Sequence, residues 1–144
     1  MQTETAILAP AAVLAGWTMF VFLWLLARRI PAFNAAGIKL GDMPAGMRAR
    51  DGEAQMPAKA NWMSHNYTHL MEQPTVFYPV VVMLALMGDS SSLSVGLAWC
   101  YTGLRVVHTF WQANVNTVPV RFALFGLASL CLIILTARAV MQAL

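Results

Sequence analysis

Residues 59–87 read KANWMSHNYTHLMEQ–PTVFYPVVVMLALM, polar and aromatic as far as Gln73 and apolar from Pro74 onward. The apolar half alone is too short to cross a bilayer core of roughly 30 Å at 1.5 Å per helical residue. If the stretch is one helix, its polar half must face protein, a cavity or the headgroup region. Pro74 and Pro79 are candidate kinks, which neighbouring helices tolerate in a membrane. The stretch therefore predicts a membrane helix whose cytoplasmic half lines something polar.

Composition agrees. The chain has 144 residues, of which 59% are hydrophobic and 10% charged, and its mean hydropathy is +0.62. A soluble domain carries roughly 25% charged residues, so an ordinary soluble protein is excluded, and intrinsic disorder with it. The length allows one domain at most. Two cysteines make no disulfide framework. The net charge of +3 fits positive-inside topology better than nucleic acid, and no nucleic-acid partner is expected.

Three further helices flank this one. Ala6–Ala27 has no formal charge and ends at Arg28-Arg29-Ile30-Pro31, which predicts a basic interfacial anchor and a helix stop. With Glu4 before it and two arginines after it, the run reads as a retained helix rather than a cleaved signal. The spacing predicts helices over about 6–29, 59–87, 93–112 and 118–142, an all-α integral membrane bundle of four transmembrane helices. Residues 30–58 collect glycine, proline and most of the charges, and read as a long loop with little regular structure. A loop of this length is uncommon and is usually a functional lid or disordered. The long loop and its flanks hold Arg28, Arg29, Lys39, Arg48, Arg50 and Lys59, whereas the Gly88–Ser92 turn holds no basic residue. The loop 30–58 and the Asn114–Pro119 turn are therefore expected in the cytoplasm, with both termini opposite.

Ionisable side chains inside a membrane cost at least ~2.5 kcal/mol at a helix centre, and are usually paired or functional. Glu72, Arg105, His108 and Arg121 are such residues. Glu72 and Arg105 should lie at similar depth, so a Glu72–Arg105 ion pair is expected, either as structural glue or as part of a site. Tyr101, Arg105, His108 and Gln112 fall on one helix face. Taken singly, His108 reads equally as a satisfied interior histidine or as a functional group, and Tyr101 reads first as an interfacial aromatic. Together the four suggest a polar cleft open to the cytoplasmic side. His65, His69 and Glu72 also share a face. A metal is the weaker reading there, and a polar face near the headgroups the more ordinary one. Cys100 and Cys131 read as packing residues. Arg28 and Arg29 read first as snorkelling anchors and second as recognition of an anionic ligand.

The last two helices resemble the MAPEG superfamily of membrane proteins in eicosanoid and glutathione metabolism. The resemblance rests on Arg105-Val-Val-His108-Thr, on Arg121 after it, and on Glu72 before it. Asn66–Tyr78, NYTHLMEQPTVFY, is similar to a pattern of bacterial members. The resemblance implies a four-helix protomer in a homotrimer, in a bacterial inner membrane, with glutathione held between protomers near the cytoplasmic face. Glu72, Arg105, His108 and Arg121 would contact the ligand, with Gln112, His69, Asn66 and Arg28 beside them. Three positions depart from the family pattern: His69 replaces an Asn, Gln112 a Tyr, and Phe122 a Ser.

As a glutathione transferase or peroxidase, the protein would use Arg121 to hold the thiolate, the catalytic role here. Glu72 and Arg105 would orient the charged ends of the peptide, and His108 would hydrogen-bond a carboxylate or relay a proton. The substrate would be a lipophilic electrophile or lipid hydroperoxide, and the long loop would cover the site. The alternative is a non-catalytic subunit of a larger membrane complex, which the departures favour. An enzyme requires an open, wettable cleft reached by Arg121. A structural subunit should show Glu72 and Arg105 mutually satisfied and the cleft closed or filled by lipid.

Overall fold

The computed structural model describes residues 5–144, and their side chains except at 40, 49 and 50. Glu4 and the side chain of Arg50, used above, lie outside the described residues. Five α-helices follow one another: α1 (Leu8–Ala35), α2 (Ala58–Glu72), α3 (Pro74–Leu86), α4 (Ser92–Asn114) and α5 (Val118–Ala143). Among the described residues there is no strand. α2 and α3 are one rod broken at Gln73, so the molecule is a bundle of four rods. α4 and α5 form the main antiparallel pair, α1 packs on α2 and α4, and α3 packs on α5.

The break between α2 and α3 has a covalent cause. Pro74 has no N–H to return to the Leu70 carbonyl, and it starts the next helix at its favoured first position. Gln73 keeps helical dihedrals, so the rod continues across the break. Thr75 Oγ1 bonds back to the Glu72 carbonyl. Pro79, by contrast, lies inside α3 without ending it.

The first helix corrects the sequence reading. It does not stop at Pro31 but runs through it to Ala35. The stop is Gly37, at φ +70°, a left-handed conformation that glycine adopts without steric cost. Its N–H bonds to the Asn34 carbonyl, and that of Ile38 bonds to the Phe33 carbonyl at 2.9 Å, which together close the helix in a Schellman motif. The loop is correspondingly shorter than expected. It carries short 3-10 turns at Leu40–Asp42 and Ala49–Gln55.

The interior is apolar through the middle of the bundle, with Leu14, Val21, Phe77, Val81, Leu84, Ala98 and Leu135 buried. Tyr101 stacks on Phe77 with ring centroids 4.3 Å apart. The outside is apolar as well. Only 33% of the most apolar window of α1, and 22% of that of α5, is buried. Core helices of a soluble protein would be largely covered. Here Phe20, Leu23, Phe122, Leu130 and Ile133 stand exposed. α1 and α5 are long and apolar enough to cross a membrane, and such continuous apolar surface belongs in lipid.

The α3–α4 turn is tied to α5 by a dense polar knot. Asp89, 6% exposed, accepts from Ser91 N (3.0 Å), Ser94 Oγ (2.7 Å), Arg138 Nη2 (3.1 Å) and Gln142 Nε2 (3.2 Å). Arg138 also donates to Ser94 Oγ and Ser91 Oγ. Burial pushes the Asp89 carboxyl up, but the bonds from Ser91, Ser94 and Arg138 outweigh it and hold it far below the usual carboxylate range.

Candidate functional site

The opposite end of the bundle, where α2, α4 and the start of α5 meet, holds most of the residues singled out in the sequence. The expected face of α4 points inward: Tyr101, Arg105, His108 and Gln112 are all 3% exposed or less. Asn66 of α2 is fully buried opposite them, its Nδ2 donating to the Thr109 carbonyl at 3.2 Å.

The expected Glu72–Arg105 ion pair is not formed. Arg105 donates through Nη2 to the His69 main-chain carbonyl and lies 3.4 Å from His69 Nδ1. Glu72 instead turns outward, 64% exposed, with His69 Nδ1 at 3.8 Å. The cause lies in the backbone. The last four carbonyls of a helix lack intrahelical donors, and α2 ends at Glu72 because of Pro74. A cation at a helix C-terminus is favoured by those carbonyls and by the helix dipole. Arg105 is satisfied in part by backbone, and no carboxylate is drawn inward.

Around it, polar atoms are left over. Arg105 Nε and Nη1, His108 Nε2, Gln112 Oε1, Asn66 Oδ1 and Arg121 Nε are buried without a hydrogen-bond partner among the described residues. Each such atom costs ~1–3 kcal/mol if nothing satisfies it, and six together would rival the ~5–15 kcal/mol that stabilises a whole domain. Groups of this kind are satisfied by water or by a ligand. The rings of His69 and His108 meet edge-on at 5.0 Å, which links the buried face to the opening above it.

That opening is a cleft of about 620 Å³, within the range of small-molecule sites. α2 contributes Ser64, His65, Thr68, His69 and Glu72, α4 contributes Gln112, and α5 contributes Arg121. Arg121 is positioned by the preceding turn: Asn116, at φ +60°, accepts from its Nη1 at 2.7 Å. Asn tolerates the left-handed region better than most residues, so the turn sequence Asn114–Pro119 sets the arginine. The loop supplies the remaining wall, Arg48 and Glu53. Glu53 accepts from His65 Nε2 at 2.9 Å and lies 3.7 Å from Arg29 Nη1. Burial pushes its carboxyl up, but the hydrogen bonds from His65 and Ser64 and the charges of His65 and Arg29 bring it below its ordinary value.

The structure thus gathers His69, Glu72, Gln112 and Arg121 on the cleft wall, with Asn66, Arg105 and His108 behind it. Arg28 is apart from them, exposed, with its guanidinium 5.2 Å from the Trp24 ring. The inward role at that end of α1 falls to Arg29. The metal alternative does not assemble, since His65 is turned to Glu53 and among the described residues no three His, Cys, Asp or Glu side chains form a metal-holding group. Sequence reasoning missed Ser64, Thr68, Arg48 and Glu53. Ser64 and Thr68 widen the His65–His69–Glu72 stripe at helical spacing and were within reach. Glu53 and Arg48 meet α2 only through the path of the loop.

The family model described as MAPEG family matches residues 7–141. No curated protein and no solved structure matches the chain.

Proposed function

The chain belongs to the MAPEG family, a family of integral membrane proteins associated with glutathione, and on that premise we propose that it binds glutathione in the cleft and activates its thiol. The observation that carries the reading is an open polar cleft walled by Arg121, backed by buried donors and acceptors that meet no protein partner. A free thiol has a pKa of about 8.5, and a neighbouring guanidinium lowers it by favouring the thiolate. Arg121, with Nε still unpartnered, is the group for that role. Glu72, outward and anionic, suits the ligand's ammonium. Gln112 and the His69–His108 pair offer hydrogen bonds along the wall. The thiolate would then attack a lipophilic electrophile, or reduce a lipid hydroperoxide, arriving from the bilayer along the apolar outer surface.

The same reading places three protomers together, with Glu72 facing a neighbouring copy, in a bacterial inner membrane with the loop on the cytoplasmic side. A carboxylate exposed at the break between two stacked membrane helices is costly to leave in lipid, which supports a neighbouring copy there. The alternative, a non-catalytic subunit of a larger complex, required a mutually satisfied Glu72–Arg105 pair and a cleft closed or filled by lipid. The pair is unformed, which speaks against it.

The test is calorimetric titration of detergent-purified protein with glutathione, beside Arg121→Ala. Saturable binding, weakened about tenfold or more in the variant, is the expected result. An absence of binding at millimolar glutathione would transfer the case to the accessory role.

A further inference from the structure

The loop wall of the cleft is a built feature rather than a stray neighbour. The turn Ala49–Gln55 is fastened to two helices at once. The Glu53 carboxylate meets His65 of α2 and Arg29 of α1, and the Glu53 carbonyl accepts from Asn61 Nδ2 at 2.9 Å. Gly52 lies beside the Phe33 ring, on the extra turn of α1 beyond Pro31, and Met56 is buried. Arg48 opens this turn. Its N–H bonds Asp51 Oδ2 at 2.8 Å, and the Asp51 N–H bonds the Arg48 carbonyl at 2.9 Å. The backbone under Arg48 is therefore fixed on both sides, while its exposed side chain lines the cleft and meets no carboxylate within ion-pair distance among the described residues.

The charge balance gives this arginine a purpose. Two guanidiniums line the cleft from different elements, Arg48 from the loop and Arg121 from α5. Of the two carboxylates there, Glu53 is already neutralised by Arg29 from outside the cleft. The cleft is therefore suited to a ligand carrying more than one negative group. A guanidinium binds a carboxylate through two parallel N–H bonds, which gives selectivity as well as affinity.

Resting on the glutathione reading above, we propose that Arg48 is a specificity-determining residue that binds a carboxylate of the ligand, and that Glu53, latched to His65, Arg29 and Asn61, is the positioning residue that holds Arg48 over the cleft. Arg121 takes the thiolate and Arg48 a carboxylate, so that the cleft selects free peptide acids over their esters. The loop then acts as a strap whose docking completes the site.

The experiment compares glutathione with its diethyl ester by calorimetry on full-length protein, for the natural chain, Arg48→Ala and Arg48→Lys. Arg48 is exposed, so both variants should fold, which thermal unfolding checks. The natural chain should prefer the free acid. Arg48→Ala should weaken glutathione about tenfold while leaving the ester unchanged, and Arg48→Lys should restore part of the preference. An Arg48→Ala protein that keeps the full acid-over-ester preference would overturn the assignment while leaving glutathione binding intact. Failure of the natural chain to bind glutathione at all would overturn the function proposed above and Arg48's share in it. The latch has its own readout, trypsin cleavage after Arg48 and Arg50 without ligand. Glu53→Gln should speed that cleavage about tenfold, and equal rates would remove the positioning role of Glu53.

Discussion

The two ends of the bundle treat buried polarity in opposite ways. At the α3–α4 turn every charged group is answered: Asp89 accepts four hydrogen bonds, and Arg138 spreads three donors over Asp89, Ser91 and Ser94. At the α2–α4–α5 end, Arg105, His108, Gln112, Asn66 and Arg121 each keep an atom without a partner. Both ends cost desolvation. The first recovers it within the protein, which ties helices together. The second leaves those atoms to water or to a ligand, and the function proposed above takes the ligand. Polarity in a membrane protein does not by itself mark function.

This contrast can be broken by substitution. The largest effect is expected at the satisfied end. Asp89→Ala leaves Arg138 without its carboxylate and should cost about 3 kcal/mol, read as a lowered unfolding midpoint in detergent. Glutathione affinity of the protein that remains folded should hardly move. If affinity fell with stability, the two ends would not be independent. Arg121→Ala should do the reverse, with about tenfold weaker glutathione binding and stability within about 1 kcal/mol. A finer probe is Arg105→Met. Replacing a buried, incompletely paired cation with an apolar side chain of similar length is often neutral or stabilising. The unfolding midpoint should therefore hold or rise while ligand binding is lost. A destabilisation as large as that of Asp89→Ala would show that Arg105 is a clasp too.

The smallest effect separates the ends by pH. Glu53 and Asp89 are both carboxyls held below their ordinary values, Asp89 much further. A depressed carboxyl contributes stability above its unfolded value and loses that contribution as pH falls through the folded one. The Glu53 latch should therefore hold at neutral pH and release below about 4.5, its ordinary value. The Asp89 knot should outlast it to more acid conditions. Hydrogen exchange of residues 49–55 and 89–94, corrected for intrinsic rates, reads both. Simultaneous release would deny the difference between them.

Much of this was legible in the chain. Four apolar rods, the polar half of the second, and the inward stripe Tyr101–Arg105–His108–Gln112 follow from hydropathy and helical spacing. What escaped did so for physical reasons. Pro31 carries a stop signal, but one missing N–H did not end a helix whose next turn is closed by Gly37 and packed by Phe33 against the loop. The Glu72–Arg105 pairing failed because sequence displays side chains and not carbonyls, and the better acceptor was main chain. The Glu53 contacts cross the loop, and no periodicity encodes where a loop crosses.

The bond from Arg105 to the His69 carbonyl has a consequence for how this site can change over time. Its acceptor is a main-chain carbonyl in the last turn of α2, so no substitution at position 69 removes it. The residue there can be exchanged, for an amide or another ring, and the buried cation keeps its anchor. The cleft's chemistry is thereby separated from its scaffold, and position 69 becomes a place where selectivity can drift without a structural lesion.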